Sequence, residues 1–124
     1  MEIDRETILV VEDEDAIRLS LRDYLVKKGF RVLVASEGVG AIKELLDNQV
    51  DLIVTDYRME ILGGDYWIRF LKKYCHDIKV IITSGFLNSA FSIEYPVLYK
   101  PFEYTELERI IVDMLEDGSD GSES

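Results

Sequence analysis

Three apolar, β-branched runs constrain this chain more than any other feature: Thr7-Ile8-Leu9-Val10-Val11, Asp51-Leu52-Ile53-Val54-Thr55 and Ile78-Lys79-Val80-Ile81-Ile82-Thr83. Continuous apolar runs of this length suit strands covered on both faces, as in a parallel sheet. Val32-Leu33-Val34-Ala35 and Tyr95-Pro96-Val97-Leu98-Tyr99 are shorter and weaker strand candidates. Helical patterns lie between the runs. Ala16, Ile17, Leu21, Tyr24 and Leu25 share one helical face, and Gly29 supplies a stop. Ser36 is placed to cap a second helix carrying Val39, Ile42, Leu45 and Leu46. Trp67, Ile68, Phe70, Leu71 and Tyr74 mark a third. Thr105 and Glu108 have capping-box spacing ahead of Ile110, Ile111, Met114 and Leu115. Strands alternating with helices in this way argue a doubly wound α/β fold with right-handed crossovers.

A length of 124 residues suits one domain, expected over residues 1–117. Residues 118–124 contain no apolar side chain and read as a disordered tail or the start of a linker. Cys75 is the one cysteine, so no intrachain disulfide can form and a reducing, cytoplasmic setting fits. No stretch approaches the roughly 20 apolar residues of a membrane span. The charged N-terminus, Met1 to Glu6, does not resemble a signal peptide. A net charge of -11 argues against direct nucleic-acid binding by this domain, because phosphate backbones attract Lys and Arg.

In a doubly wound fold, ligands bind at the carboxyl ends of the strands. The residues expected there are Glu12 and Asp13, then Asp56, Ser84 and Lys100. Two like charges ~4 Å apart repel by about 4 kcal/mol at a surface-like dielectric. A hard divalent cation relieves that repulsion, and magnesium takes a few carboxylates while keeping several waters. A carboxylate so placed can attack phosphorus and form an aspartyl-phosphate. Charge neutralisation and positioning do most of the work in phosphoryl transfer.

The pieces Ile8-Leu9-Val10-Val11-Glu12-Asp13-Glu14, Asp56-Tyr57-Arg58-Met59, Gly64, Thr83-Ser84-Gly85 and Lys100-Pro101-Phe102 occur in this order over residues 6–117. Together they resemble the response-regulator receiver family, the chemotaxis-Y-like superfamily. The resemblance implies a five-stranded parallel sheet in the flavodoxin-like order 2-1-3-4-5. It implies a signalling switch, not an enzyme with turnover, that catalyses its own phosphorylation and slow autodephosphorylation. Asp56 would be the phosphoacceptor. Asp13, Asp56 and the backbone carbonyl of Arg58 would hold Mg2+, with Glu12 acting through a water. Ser84 would be the switch hydroxyl and Lys100 would bind the phosphoryl oxygens. Pro101 would set the turn after the lysine through a cis peptide bond. A histidine kinase or phosphotransfer protein would be the donor, and a downstream protein or a separate output domain the receiver of the signal.

Other readings are weaker. Glu12 and Asp13 could be a solvated helix entry, and Lys100 an ordinary surface lysine. Thr83 competes with Ser84, and Gly85 next to Ser84 favours the latter. An aspartyl phosphohydrolase usually carries a second acid two residues after its nucleophile, where this chain has Arg58. A flavodoxin-like cofactor binder needs a hydroxyl- and Gly-rich loop after the first strand, where this chain has Glu12-Asp13-Glu14-Asp15. A phosphorylation-independent docking module is disfavoured by the intact acids and lysine. His76 has no partner at metal-ligand spacing and reads as a surface residue.

The chain departs from the family in places. Glu60 stands where most relatives have proline. Arg58 and Phe86 are placed to tune phosphoryl lifetime, and bulky Phe86 is expected to obstruct the hydrolytic water. The segment from Ser84 to Lys100 is shorter than in most relatives by roughly six residues, about one and a half helical turns. A shortened fourth helix over Leu87 to Ile93 is therefore expected, with a remodelled output surface. Val97 occupies the position of the family's aromatic switch residue, for which Tyr95 or Tyr99 could substitute.

Overall fold

The computed structural model describes residues 5–57, 64–85 and 94–121. Its element order is β1 (Thr7–Val11), α1 (Asp15–Lys27), β2 (Arg31–Ala35), α2 (Gly38–Asp47), β3 (Leu52–Asp56), α3 (Gly64–Tyr74), β4 (Lys79–Ser84), β5 (Val97–Tyr99) and α4 (Tyr104–Gly121). The five strands form one parallel sheet in the order β2-β1-β3-β4-β5, as expected.

Period-two alternation divides the strand side chains between two cores. Leu9, Val11, Ile53, Val80 and Ile82 face α2 and α3, where they pack with Ala41, Trp67, Ile68 and Leu71. Ile8, Val10, Leu52, Val54, Ile81 and Leu98 face α1 and α4, where they meet Leu21, Leu25, Leu107 and Ile111. Burial on both faces is why these strands read as unbroken apolar runs.

Gly29 ends α1 as expected, with φ +102°. The Gly29 N–H donates to Val26 O at 3.0 Å and the Phe30 N–H to Leu25 O at 3.2 Å. Both hydrogen bonds of a Schellman motif are therefore made, and Phe30 packs into the core that holds Leu25. The start of α2 differs from expectation. Glu37, not Ser36, is the N-cap, and its Oε1 accepts from the Val39 and Gly40 N–H groups at 2.6 and 3.1 Å. An ionised carboxylate is the stronger acceptor for these donors and is favoured at the positive end of the helix.

On the α1–α4 side, Tyr24 donates its hydroxyl to Glu108 at 2.6 Å. That bond, and then burial, raise the Tyr24 pKa above its usual value. The α4 backbone stays helical to Gly121, past the boundary expected at 117, and residues 122–124 lie outside the described residues. The expected short helix over Leu87 to Ile93 also falls outside them. Val97 and Tyr95 are partly buried against the α2–α3 core, whereas Tyr99 is 38% exposed.

A Cβ at Gly29 would meet no atom within 4 Å, so substitution there is a test of conformation alone. Gly29→Ala is expected to destabilise the domain by about 1 kcal/mol through its positive φ. Urea unfolding checks this, and an unchanged midpoint would show that the α1 terminus relaxes freely.

Candidate functional site

The carboxyl edge of the sheet brings together residues from four separate strand ends. Glu12 and Asp13 follow β1, Asp56 ends β3, Ser84 ends β4 and Lys100 follows β5. One carboxylate oxygen from each of Glu12, Asp13 and Asp56 lies within 4.8 Å of the others. Lys100 Nζ sits 3.1 Å from Asp56 Oδ1 and 3.2 Å from Glu12 Oε1. The carboxylates of Glu12 and Asp56 are 5% and 4% exposed, and Lys100 is 22% exposed, so the pairing is shielded from water. At that burial an ion pair is screened far less than at an open surface.

Main-chain bonds hold these ends in place. The Glu12 N–H donates to Ala35 O at 3.0 Å, the Tyr57 N–H to Thr83 O at 2.9 Å and the Lys100 N–H to Ser84 O at 2.7 Å. The Lys100–Pro101 peptide is cis, matching the turn expected after the lysine. Glu12 is fastened further by the Glu14 N–H, which donates to Oε2 at 3.2 Å, and by Arg18, which donates to its carbonyl at 2.9 Å. Arg18 was not singled out by sequence. Its signal is its position on the first turns of α1, six residues after Glu12, with Asp15 at 2.6 Å to aim the guanidinium.

Beneath Asp56, Thr55 is fully buried and its hydroxyl accepts from Trp67 Nε1 at 2.9 Å. Sequence placed Trp67 in the core. Its core position holds, and the indole N–H adds a polar tie between α3 and the strand end that periodicity could not show. Thr83 and Ser84 are both buried, at 3% and 0% exposed. Register pairs Thr83 with Asp56, while Ser84 lies one residue further on, bonded through its carbonyl to Lys100. His76 is exposed, as expected of a surface residue. Arg58, Glu60 and Phe86 lie outside the described residues.

Burial, then the charge of Asp56, pushes the Glu12 carboxyl above its usual pKa against the smaller opposing pulls of the Glu14 N–H and Lys100. Burial pulls Lys100 down, but the charges of Asp56 and Glu12 outweigh it and leave the ammonium raised. Among the described residues, three carboxylates face one ammonium, an excess of acid. The cluster's donors are hard oxygens, the set magnesium prefers.

The family model described as the response regulator receiver domain matches residues 8–112. The chain belongs to the response-regulator receiver family. It is 37% identical over 118 residues to the sensor kinase CckA of Brucella abortus, covering 89% of this chain and 12% of that protein. It is 28% identical over 102 residues to the transcriptional regulatory protein YxdJ of Bacillus subtilis, covering 78% of this chain and 44% of that one. The chain thus spans less than half the length of either relative. The signal receiver domain of an HD domain-containing protein from Pseudomonas fluorescens superposes with a TM-score of 0.85 at 21% identity, over 94% of this chain and 99% of that one. A CheY-like receiver domain from Methanospirillum hungatei superposes at 0.83 and 21% identity, over 95% and 99%. This receiver is therefore a two-component signalling domain with the chemotaxis-Y-like fold, and no described helix is long and apolar enough to cross a membrane.

Two outcomes follow for this receiver. Because the folded Glu12 pKa is raised, its contribution to stability is present below about 4.5 and is lost as pH rises through the folded value. In magnesium-free buffer at neutral pH, Glu12→Gln is expected to be more stable than the parent, with the difference shrinking below pH 4.5. Thermal unfolding across pH checks it, and a destabilised variant at neutral pH would show that the Lys100 pairing dominates. Trp67→Phe is expected to cost about 1–3 kcal/mol by leaving the Thr55 hydroxyl without its donor. Combining it with Thr55→Val should recover part of that loss, as a double-mutant cycle would show.

Proposed function

We propose that this receiver accepts a phosphoryl group on Asp56 from the phosphohistidine of a histidine kinase or phosphotransfer protein, with Mg2+, and signals through Ser84 and Lys100. The observation that carries the reading is the Lys100 ammonium held between Asp56 and Glu12 beside a three-carboxylate cluster. That arrangement places a cation beside a nucleophilic carboxylate and within reach of incoming phosphoryl oxygens.

An Asp56 carboxylate oxygen attacks phosphorus in line with the donor imidazole. The new O–P bond forms as the P–N bond breaks, and the imidazole leaves with the bonding electron pair. Asp13 and Asp56 would hold Mg2+ directly, Glu12 through a water, with the Arg58 carbonyl completing the protein's donors. The ion would supply charge neutralisation at the equatorial phosphoryl oxygens. Lys100 then exchanges its contact with the Asp56 carboxylate for a phosphoryl oxygen, which alters its hold on Glu12. The Lys100 N–H bond to the Ser84 carbonyl couples the lysine to the β4 end, where the Ser84 hydroxyl can turn toward the new group. Such a change biases a two-state equilibrium of the domain toward the form a partner recognises. Arg58 and Phe86 are proposed to set the lifetime of the phosphoryl group.

The relatives include a sensor kinase and a transcriptional regulator, so we propose that the signal passes to a downstream protein or an output domain in the cytoplasm. Intact mass after incubation with magnesium and acetyl phosphate tests the site. One phosphoryl adduct is expected on the parent, none after chelation and none on Asp56→Asn. An adduct that persists on Asp56→Asn would move the acceptor to another residue.

A further inference from the structure

The peptide unit between Asp56 and Tyr57 is gripped from two sides. Its N–H, that of Tyr57, donates to the Thr83 carbonyl on β4 at 2.9 Å. Its carbonyl, that of Asp56, accepts from the Thr55 hydroxyl at 3.3 Å. That second bond is long, and a hydroxyl proton rotates to suit whatever acceptor it finds. Trp67 limits the rotation, because its Nε1–H donates to the same Thr55 oxygen at 2.9 Å. An indole N–H is a donor only, so the Thr55 oxygen must accept there and turn its own proton elsewhere. The result is a directed chain from Trp67 through Thr55 to the Asp56 carbonyl.

Packing holds the donor end of this chain. The Trp67 ring stacks on Phe70 with centroids 6.0 Å apart, and a Cβ added at Gly38 on α2 would stand 3.2 Å from the Trp67 Cβ. Trp67 and Thr55 are both buried, and a hydrogen bond away from water is electrostatically stronger and keeps its direction. Any buried indole N–H needs an acceptor, and that need alone would be met by many groups. What sets this one apart is where the bond leads. The acceptor is the residue before Asp56, and it passes the bond to the carbonyl of Asp56 itself.

We propose that Trp67 is a positioning residue for phosphoryl transfer, which through the Thr55 hydroxyl fixes the Asp56–Tyr57 peptide plane and so aims the Asp56 carboxylate at the incoming phosphorus. The proposal rests on the reading of Asp56 as phosphoacceptor. The Cα of Asp56 joins that plane to the side chain, so a tilt of the plane is carried to the carboxylate and to its 3.1 Å contact with Lys100. In-line attack tolerates little error of this kind. Trp67 touches neither donor nor phosphoryl group in this scheme and acts only through Thr55.

The test follows the rate of adduct formation by intact mass, with magnesium and acetyl phosphate, at a temperature where circular dichroism shows every variant folded. Trp67→Phe and Thr55→Val are each expected to lower the second-order rate constant about tenfold, the scale of a misaimed reacting group. Thr55→Ser keeps the hydroxyl and should restore the parental rate. The Trp67→Phe, Thr55→Val double variant separates positioning from mere stability. Its thermal midpoint should partly recover while its rate stays as low as in either single variant. Parental rates in both single variants, a rate that recovers in the double variant together with its stability, or a Thr55→Ser rate as low as that of Thr55→Val would each overturn the proposal and leave the phosphoacceptor reading intact. A parent that forms no magnesium-dependent adduct, or an adduct that persists on Asp56→Asn, would overturn that reading and this proposal with it.

Discussion

The ammonium of Lys100 lies between two carboxylates that would otherwise repel across a nearly dry edge. Its contacts of 3.1 Å to Asp56 and 3.2 Å to Glu12 join the ends of β1, β3 and β5. The site depends on this tie, because like charges at such distances cannot sit together unpaired in a low-dielectric setting. Among the described residues, one ammonium does not balance the three acids that gather there. The raised pKa of Glu12 records the imbalance, and burial is its first cause. Receiver domains generally bind Mg2+ at an acidic pocket, and Glu12, Asp13 and Asp56 form an acidic group here.

The scaffold supplies that burial. Parallel strands covered on both faces place their side chains in two separate cores, and only at the carboxyl edge do polar groups take over from Val and Ile. The supports under the acids come from the helices that follow the strands. Arg18 on α1 holds the Glu12 carbonyl, and Trp67 on α3 holds the Thr55 hydroxyl next to Asp56. The same α3 turns Tyr66 and Tyr74 outward, so one helix serves both the base of the site and the exposed face opposite α1 and α4.

Much of this was legible from residue pattern. The cores of β1, β3 and β4 were plain because doubly buried strands leave unbroken apolar runs. β5 was harder. Pro96 cannot donate to a ladder, so the strand begins at Val97, although the Pro96 carbonyl still accepts the Ile82 N–H at 2.9 Å. The α2 cap was misplaced by one residue because Ser36 and Glu37 are both acceptors, and only the backbone path decides which one reaches the Val39 N–H. Arg18 and the Trp67–Thr55 bond were not legible, since each joins residues whose proximity arises from packing and not from spacing.

The amino-acid order alone determined which segments are strands and helices, that the acids and the lysine fall at strand ends, and that the motif set resembles a receiver. Those properties are local: they follow from side-chain period, caps and the residue after each apolar run. The strand order 2-1-3-4-5 was implied by that resemblance, whereas the tertiary structure decided the pairing of Lys100 with Glu12 as well as Asp56. It also decided the pairing of Thr83 with Asp56 in register, and the exposure of Val39, Leu46, Tyr66 and Tyr74 on α2 and α3. Each of these is a distance between residues far apart in the chain. Such distances exist only once crossover connections and packing have chosen which elements are neighbours.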